Sequence, residues 1–138
     1  MTKEKIKYLL ESYKYENQFL REKKSELNKL NEQYLRSLEK LKPIIIDENN
    51  QIFNDAMERY KSEYSVIEDE ISKVITKKKE IEMLIEDISQ PCRNVLYFKY
   101  VKCFSVEEIA DKMNYSTQRI YQFHDKGMKE LTEKEDDA

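Results

Sequence analysis

Thr117, Gln118, Tyr121 and Gln122 lie about one helical turn apart in pairs, and each carries a group that both donates and accepts hydrogen bonds. On the amino-terminal part of a helix, such side chains can reach base edges in the major groove of a nucleic-acid duplex. Gln can pair with an adenine edge. Arg119, Lys126 and Lys129 can meet phosphates or, for Arg119, a guanine. Other chemistry is thinly supplied. Cys92 and Cys103 are the only cysteines, and His124 is the one histidine, too few ligands for a structural zinc site. Both thiols are therefore read as reduced. A chain of 138 residues with one glycine has no phosphate-cradling loop, and its many carboxylates fall on helix flanks where solvation and ion pairing account for them. No enzyme activity, cofactor or metal is expected. His124 could touch phosphate and make binding pH-dependent, but a packing or surface role is the stronger expectation.

The elements that must hold those side chains follow from capping and spacing. Ser105 with Glu108 three residues on is a capping box. It opens a short helix with Val106, Ile109, Ala110 and Met113 on its apolar face, ended by Asn114-Tyr115. Ser116 caps the next helix, whose inward positions are Ile120, Phe123, Gly127 or Met128, and Leu131. Upstream, Ser89-Gln90-Pro91 is a helix-start signal, with serine as cap and proline in the first turn. The helix it opens, over 91–102, carries an apolar surface broad enough for more than one neighbour, and Cys103-Phe104 breaks it. Two short helices joined by a tight turn, with Ala110 where they approach, describe a helix-turn-helix. Residues 133–138 read as an acidic disordered tail.

Before residue 89 the pattern changes. Ile6, Tyr13, Leu20, Leu27, Tyr34 and Leu41 repeat at seven, with Leu9, Leu10, Leu30 and Leu38 between them and the polar Asn17, Lys24 and Asn31 at half-positions. Phe53, Tyr60, Ile67, Val74, Ile81 and Ile88 repeat again, accompanied by Met57, Tyr64, Ile71 and Ile85, and only Lys78 interrupts the stripe. These are heptads of a coiled coil. Pro43 and the Asp47-Glu48-Asn49-Asn50 stretch place a turn near 43–50. Helices over 3–42 and 51–88 then have matched lengths, about 60 Å each. The pair either folds back as an antiparallel hairpin or joins a second chain in a homodimer. Tyr13, Tyr34, Tyr60 and Tyr64 fall on the seam and are read as packing. Residues 1–88 hold seventeen basic and nineteen acidic residues, so this arm is no DNA-binding surface; residues 89–131 hold seven and five. The expectation is an all-α chain: a long antiparallel coiled-coil helical hairpin over 1–88, then a tri-helical helix-turn-helix domain over 89–132.

The run Cys92-Arg93-Asn94-Val95-Leu96 to Tyr100, then Ser105-Val106-Glu107-Glu108-Ile109-Ala110, then Tyr115-Ser116-Thr117-Gln118-Arg119-Ile120-Tyr121-Gln122-Phe123, with Met128 and Leu131, resembles region 4 of sigma-70-type sigma factors. It is similar in particular to sigma-like regulators encoded by phages and mobile elements of Gram-positive bacteria. The resemblance implies base reading by Thr117, Gln118, Tyr121 and Gln122, with Ser116 as cap and Arg119 on the phosphate side. The expected DNA-contacting set is completed by Ser105, Lys126 and Lys129. The sequence departs from the family pattern at His124, where an acidic residue is common, and at Cys103-Phe104, where a turn glycine is usual. The acidic arm offers no promoter-melting segment, so a complete sigma factor is not expected.

The resulting expectation is a cytoplasmic, DNA-binding transcription regulator that reads promoter-like double-stranded DNA with its last helix. Its arm would dimerise or dock on RNA polymerase. A coiled-coil protein-interaction scaffold without DNA binding and a small-terminase-like phage packaging protein are the alternatives. No membrane span is expected, since the longest aliphatic run is Ile44-Ile45-Ile46, and the amino terminus lacks a signal-peptide core.

Overall fold

A computed structural model describes residues 2–41 and 51–137, and within them the chain is all-helical, with turns and no strand. Helix α1 spans Lys3–Leu41, α2 Gln51–Glu86, α3 Cys92–Leu96, α4 Val106–Met113 and α5 Thr117–Asp137; a π-helical turn, Tyr97–Val101, continues α3. The expected turn near 43–50 lies outside the described residues. Neither long helix contains an internal glycine or proline, so nothing interrupts the 39 residues of α1 or the 36 of α2. No helix among the described residues is long and apolar enough to cross a membrane.

The chain forms two compact units. Residues 18–75 make one, from the carboxyl-terminal part of α1 and most of α2. Here Lys23 pairs with Glu70 at 2.6 Å, the Tyr60 hydroxyl donates to Asn31 Oδ1 at 2.6 Å, and the rings of Tyr34 and Tyr60 stack 4.1 Å apart. Partner numbers fall along one segment as they rise along the other, so the two segments run antiparallel. Asn31, polar within an apolar stripe, is satisfied by a tyrosine from the facing segment, which penalises any slip of register. Leu20, Leu30 and Val74 are buried, whereas Tyr34, Tyr60, Tyr64 and Ile67 are half-exposed. Two helices alone leave the flanks of their seam open to water.

The second unit joins residues 1–17 to 76–138. Its core gathers Ile6, Leu10 and Tyr13 of α1, Ile81 and Ile85 of α2, and the buried side chains of the carboxyl-terminal helices, among them Leu96, Ile109, Ile120 and Met128. Lys77 pairs with Glu16 at 2.9 Å, the Tyr13 hydroxyl donates to Glu82, and Lys78 lies 5.3 Å over the Tyr13 ring. The interruption at Lys78 is thus absorbed by a cation–π contact. Burial and the Glu82 carboxylate, on which the hydroxyl is engaged as a donor, push the Tyr13 phenol well above its ordinary range.

Three local features differ from the expectation. Ser89 does not cap a helix: its hydroxyl and N–H donate to the Glu130 carboxylate at 2.9 and 3.1 Å, while α3 begins after Pro91 with no side-chain cap. The single helix expected over 91–102 gives way after Leu96 to the π turn, closed by the Lys102 N–H on the Tyr97 carbonyl. Helix α5 runs through 133–137, where a disordered tail was expected. No breaker follows Gly127, and Lys134 pairs with Glu130 at 3.6 Å and donates to the Asp87 carbonyl.

Candidate nucleic-acid interface

Helix α4 starts as its sequence dictates. Glu108 N–H donates to Ser105 Oγ and Ser105 N–H to Glu108 Oε1, each at 3.2 Å. The Ser105 hydroxyl, expected in the DNA-contacting set, is therefore occupied in holding the helix end. At the other end Asn114 adopts a left-handed conformation, φ 59°, which asparagine tolerates. A short turn leads to Ser116, whose Oγ accepts the Arg119 N–H at 3.1 Å and caps α5 as expected.

Helix α5 packs on both α3 and α4. Ile120, Phe123, Gly127, Met128 and Leu131 are buried, so Gly127 and Met128 both serve the inward positions. A Cβ on Gly127 would stand 3.0 Å from Leu96 Cδ1 and 3.3 Å from Cys92 Cβ, which makes this the closest approach that α5 needs a glycine for. The opposite face carries Ser116, Thr117, Gln118, Arg119, Tyr121, Gln122, Lys126 and Lys129, all exposed. One helix and its cap thus bring eight of the nine expected residues to the solvent side, and Ser105 belongs to another helix start.

Arg119 is not a free cation. Its Nη1 donates to Gln122 Oε1 at 2.9 Å, and the guanidinium carbon lies 4.6 Å from the centroid of the Phe123 ring, which meets Tyr115 edge-on at 5.0 Å. Along the chain between α3 and α5, further cations lie over rings: Lys99 over Tyr100, Lys102 over Tyr97 and Lys112 over Phe104, at 5.6, 5.7 and 4.8 Å. The role of Phe123 as a platform was not anticipated, although its position four residues after Arg119 is a pairing distance on a helix.

His124 faces inward from this helix. Its Nε2 lies 2.6 Å from the Tyr100 hydroxyl and its Nδ1 3.5 Å from Asp125 Oδ1. Burial, with Lys99 and Lys7 nearby, lowers its pKa against the pull of Asp125, and burial pushes Tyr100 up to about 12. A neutral imidazole with its proton on Nδ1 toward the carboxylate accepts from Tyr100 at Nε2. The packing role expected of His124 fits this geometry. Cys103 is exposed and Cys92 buried; both are free thiols, and burial raises the Cys92 pKa. Among the described residues no three His, Cys, Asp or Glu side chains gather to hold a metal ion.

Residues 54–132, more than half of the chain, match a protein family described as "Protein of unknown function (DUF1492)". The chain belongs to this DUF1492 family. No curated protein and no solved structure matches it. The DUF1492 match begins inside α2 and ends within α5, so the family's shared segment crosses residue 89, where the sequence pattern suggested a boundary. The compact units divide elsewhere too, because α1 and α2 each contribute to both.

Proposed function

We propose that this DUF1492 protein is a sequence-specific DNA-binding regulator of transcription, with α4 and α5 as a helix-turn-helix of the sigma region 4 type. The reading rests on one observation above others. Thr117, Gln118, Tyr121 and Gln122, beside Arg119, stand exposed together on the amino-terminal half of α5, while the opposite face of the same helix is buried. A helix so mounted offers hydrogen-bonding side chains to a major groove, and Lys126 and Lys129 further along it offer charge to phosphates. The antiparallel α1 and α2 segments act in this proposal as a coiled-coil arm that dimerises or docks on a partner such as RNA polymerase. Exposed Leu35, Ile52 and Val66 in the 18–75 unit support a contact role for it.

Binding of the purified full chain to duplex DNA is expected to weaken steeply with salt, because phosphate contacts release counterions. Genomic fragments recovered with the protein supply the specific site. Gln122→Ala should lose about 1–3 kcal/mol of discrimination at one base position, whereas Lys129→Ala should weaken specific and random duplexes alike. Equal losses on both duplexes for both variants would refute the assignment, and absence of salt-sensitive binding would favour the protein-interaction scaffold.

A further inference from the structure

The bond between Arg119 and Gln122 limits what the exposed face of α5 can recognise, if that face reads DNA as proposed above. Arginine has only donors, so the group it meets on Gln122 must be the amide oxygen, and the 2.9 Å contact is to Oε1. The amide is thereby oriented, with Oε1 toward Arg119 and the Nε2 amine turned away from it. Arg119 is fixed in its turn. Its guanidinium lies on Phe123, which is 7% exposed and held edge-on by Tyr115, and its backbone N–H is tied to the Ser116 cap.

Glutamine reads adenine by offering an oxygen to the N6 amine and an amine to N7 at the same time. Gln122 has its oxygen engaged. What the pair offers outward is dominated by donors, the Nε2 hydrogens of Gln122 and the remaining N–H groups of Arg119, while the second lone pair of Oε1 stays beside the guanidinium. In the major groove, guanine presents two acceptors, O6 and N7, with no donor, whereas adenine and cytosine each present an amine and thymine pairs its one acceptor with a methyl group.

We propose that Arg119 and Gln122 act as a single unit that reads guanine. Arg119 is positioned on Phe123, and Gln122 both orients the guanidinium and adds a donor of its own. Phosphate oxygens are also acceptors only, so the test must separate a base contact from a backbone one.

Full-length protein would be used to select duplexes from a randomised pool, and each guanine of the selected site would be replaced in turn by 7-deazaguanine, which lacks the N7 acceptor. One such replacement is expected to weaken binding by about tenfold. That penalty should vanish in Gln122→Ala and in Arg119→Ala. Gln122→Glu, which can still accept from Arg119 but offers no amine, should shift the preferred base at that position away from guanine. Arg119→Lys keeps the charge and should lose the guanine preference with a smaller loss on random duplexes. An adenine at the Gln122-dependent position, sensitive to 7-deazaadenine, would overturn the inference and leave DNA reading intact. Uniform weakening on every duplex with no sensitivity to either deaza base would assign the pair to phosphate and overturn it as well. Failure to enrich any sequence, without salt-sensitive binding, would overturn both readings. The four substitutions fall at exposed positions, and matching thermal melts would exclude unfolding as the cause.

Discussion

His124 and Tyr100 link α5 to the π turn through a hydrogen bond in which the neutral imidazole, with its proton on Nδ1, accepts at Nε2. The groups facing the ring are Lys99, Lys7, Asp125 and Tyr100, and the balance of burial and the two lysines over Asp125 lowers the His124 pKa. Below its ordinary value of 6.5, the unfolded chain therefore takes up a proton more readily than the folded one. The stability contributed by the neutral ring is complete above that pH and is lost as the pH falls below it. Urea midpoints measured from pH 7.5 to 5 should fall more for the natural protein than for His124→Gln, which keeps a polar group and has no titration there. Identical pH profiles would remove this coupling. At the same scale, Thr117, Gln118, Tyr121 and Gln122 were legible because an i, i+3, i+4 pattern fixes which residues leave the buried face. The coupling of Arg119 to Gln122 and Phe123 was not, because spacing allows such contacts without selecting one among several.

Among the elements, the turn before α4 shows how a residue type departs from local preference. Cys103 has φ 59°, and Phe104 N–H closes on the Phe98 carbonyl at 2.9 Å. The absence of the usual glycine here is met by a cysteine in the left-handed region, which costs a residue with a Cβ about 1–2 kcal/mol. Cys103→Gly should relieve part of that, offset by the greater freedom glycine has when unfolded, for a net gain of about 0.5–1 kcal/mol in chemical denaturation. Gly127→Ala works in the opposite sense. Helix propensity favours it by about 1 kcal/mol, but the added methyl meets Leu96 and Cys92 where two of the contacts are near the backbone, and overpacking costs about 1–3 kcal/mol. A net loss of about 1 kcal/mol in the same assay is expected, and a gain would mean that α3 shifts freely. Capping was readable at Ser105 and Ser116, where the bonded partner is three residues away. It misled at Ser89, whose hydroxyl is taken by Glu130, 41 residues later.

Over the whole molecule, the core of the unit formed by 1–17 and 76–138 depends on residues far apart in sequence. Ile6 and Leu10 are fully buried with Ile85, Leu96, Ile109 and Met128 in one cluster. Leu10→Ala should cost about 2–5 kcal/mol, measured by urea denaturation. A fragment limited to 89–138 lacks the α1 and α2 side chains of that cluster and should melt without a cooperative transition, whereas the full chain should show one. Cooperative melting of the fragment would establish the carboxyl-terminal helices as an independent domain with its boundary at residue 89.

The sequence alone determined helix nearly throughout, the apolar stripe of each helix, the caps at Ser105 and Ser116, and which face of α5 meets water. Each of these depends on neighbours within a turn or two, so periodicity and residue type suffice. Only the tertiary structure decided that α1 and the end of α2 complete the core under the last helices, and that Glu130 claims Ser89. It also decided that His124 is held by Tyr100, and that Gln122 has its oxygen committed to Arg119. Those outcomes turn on which of several sterically allowed partners lies within about 3 Å once distant segments are packed, and hydrogen bonding and burial at that range are not written in any local pattern.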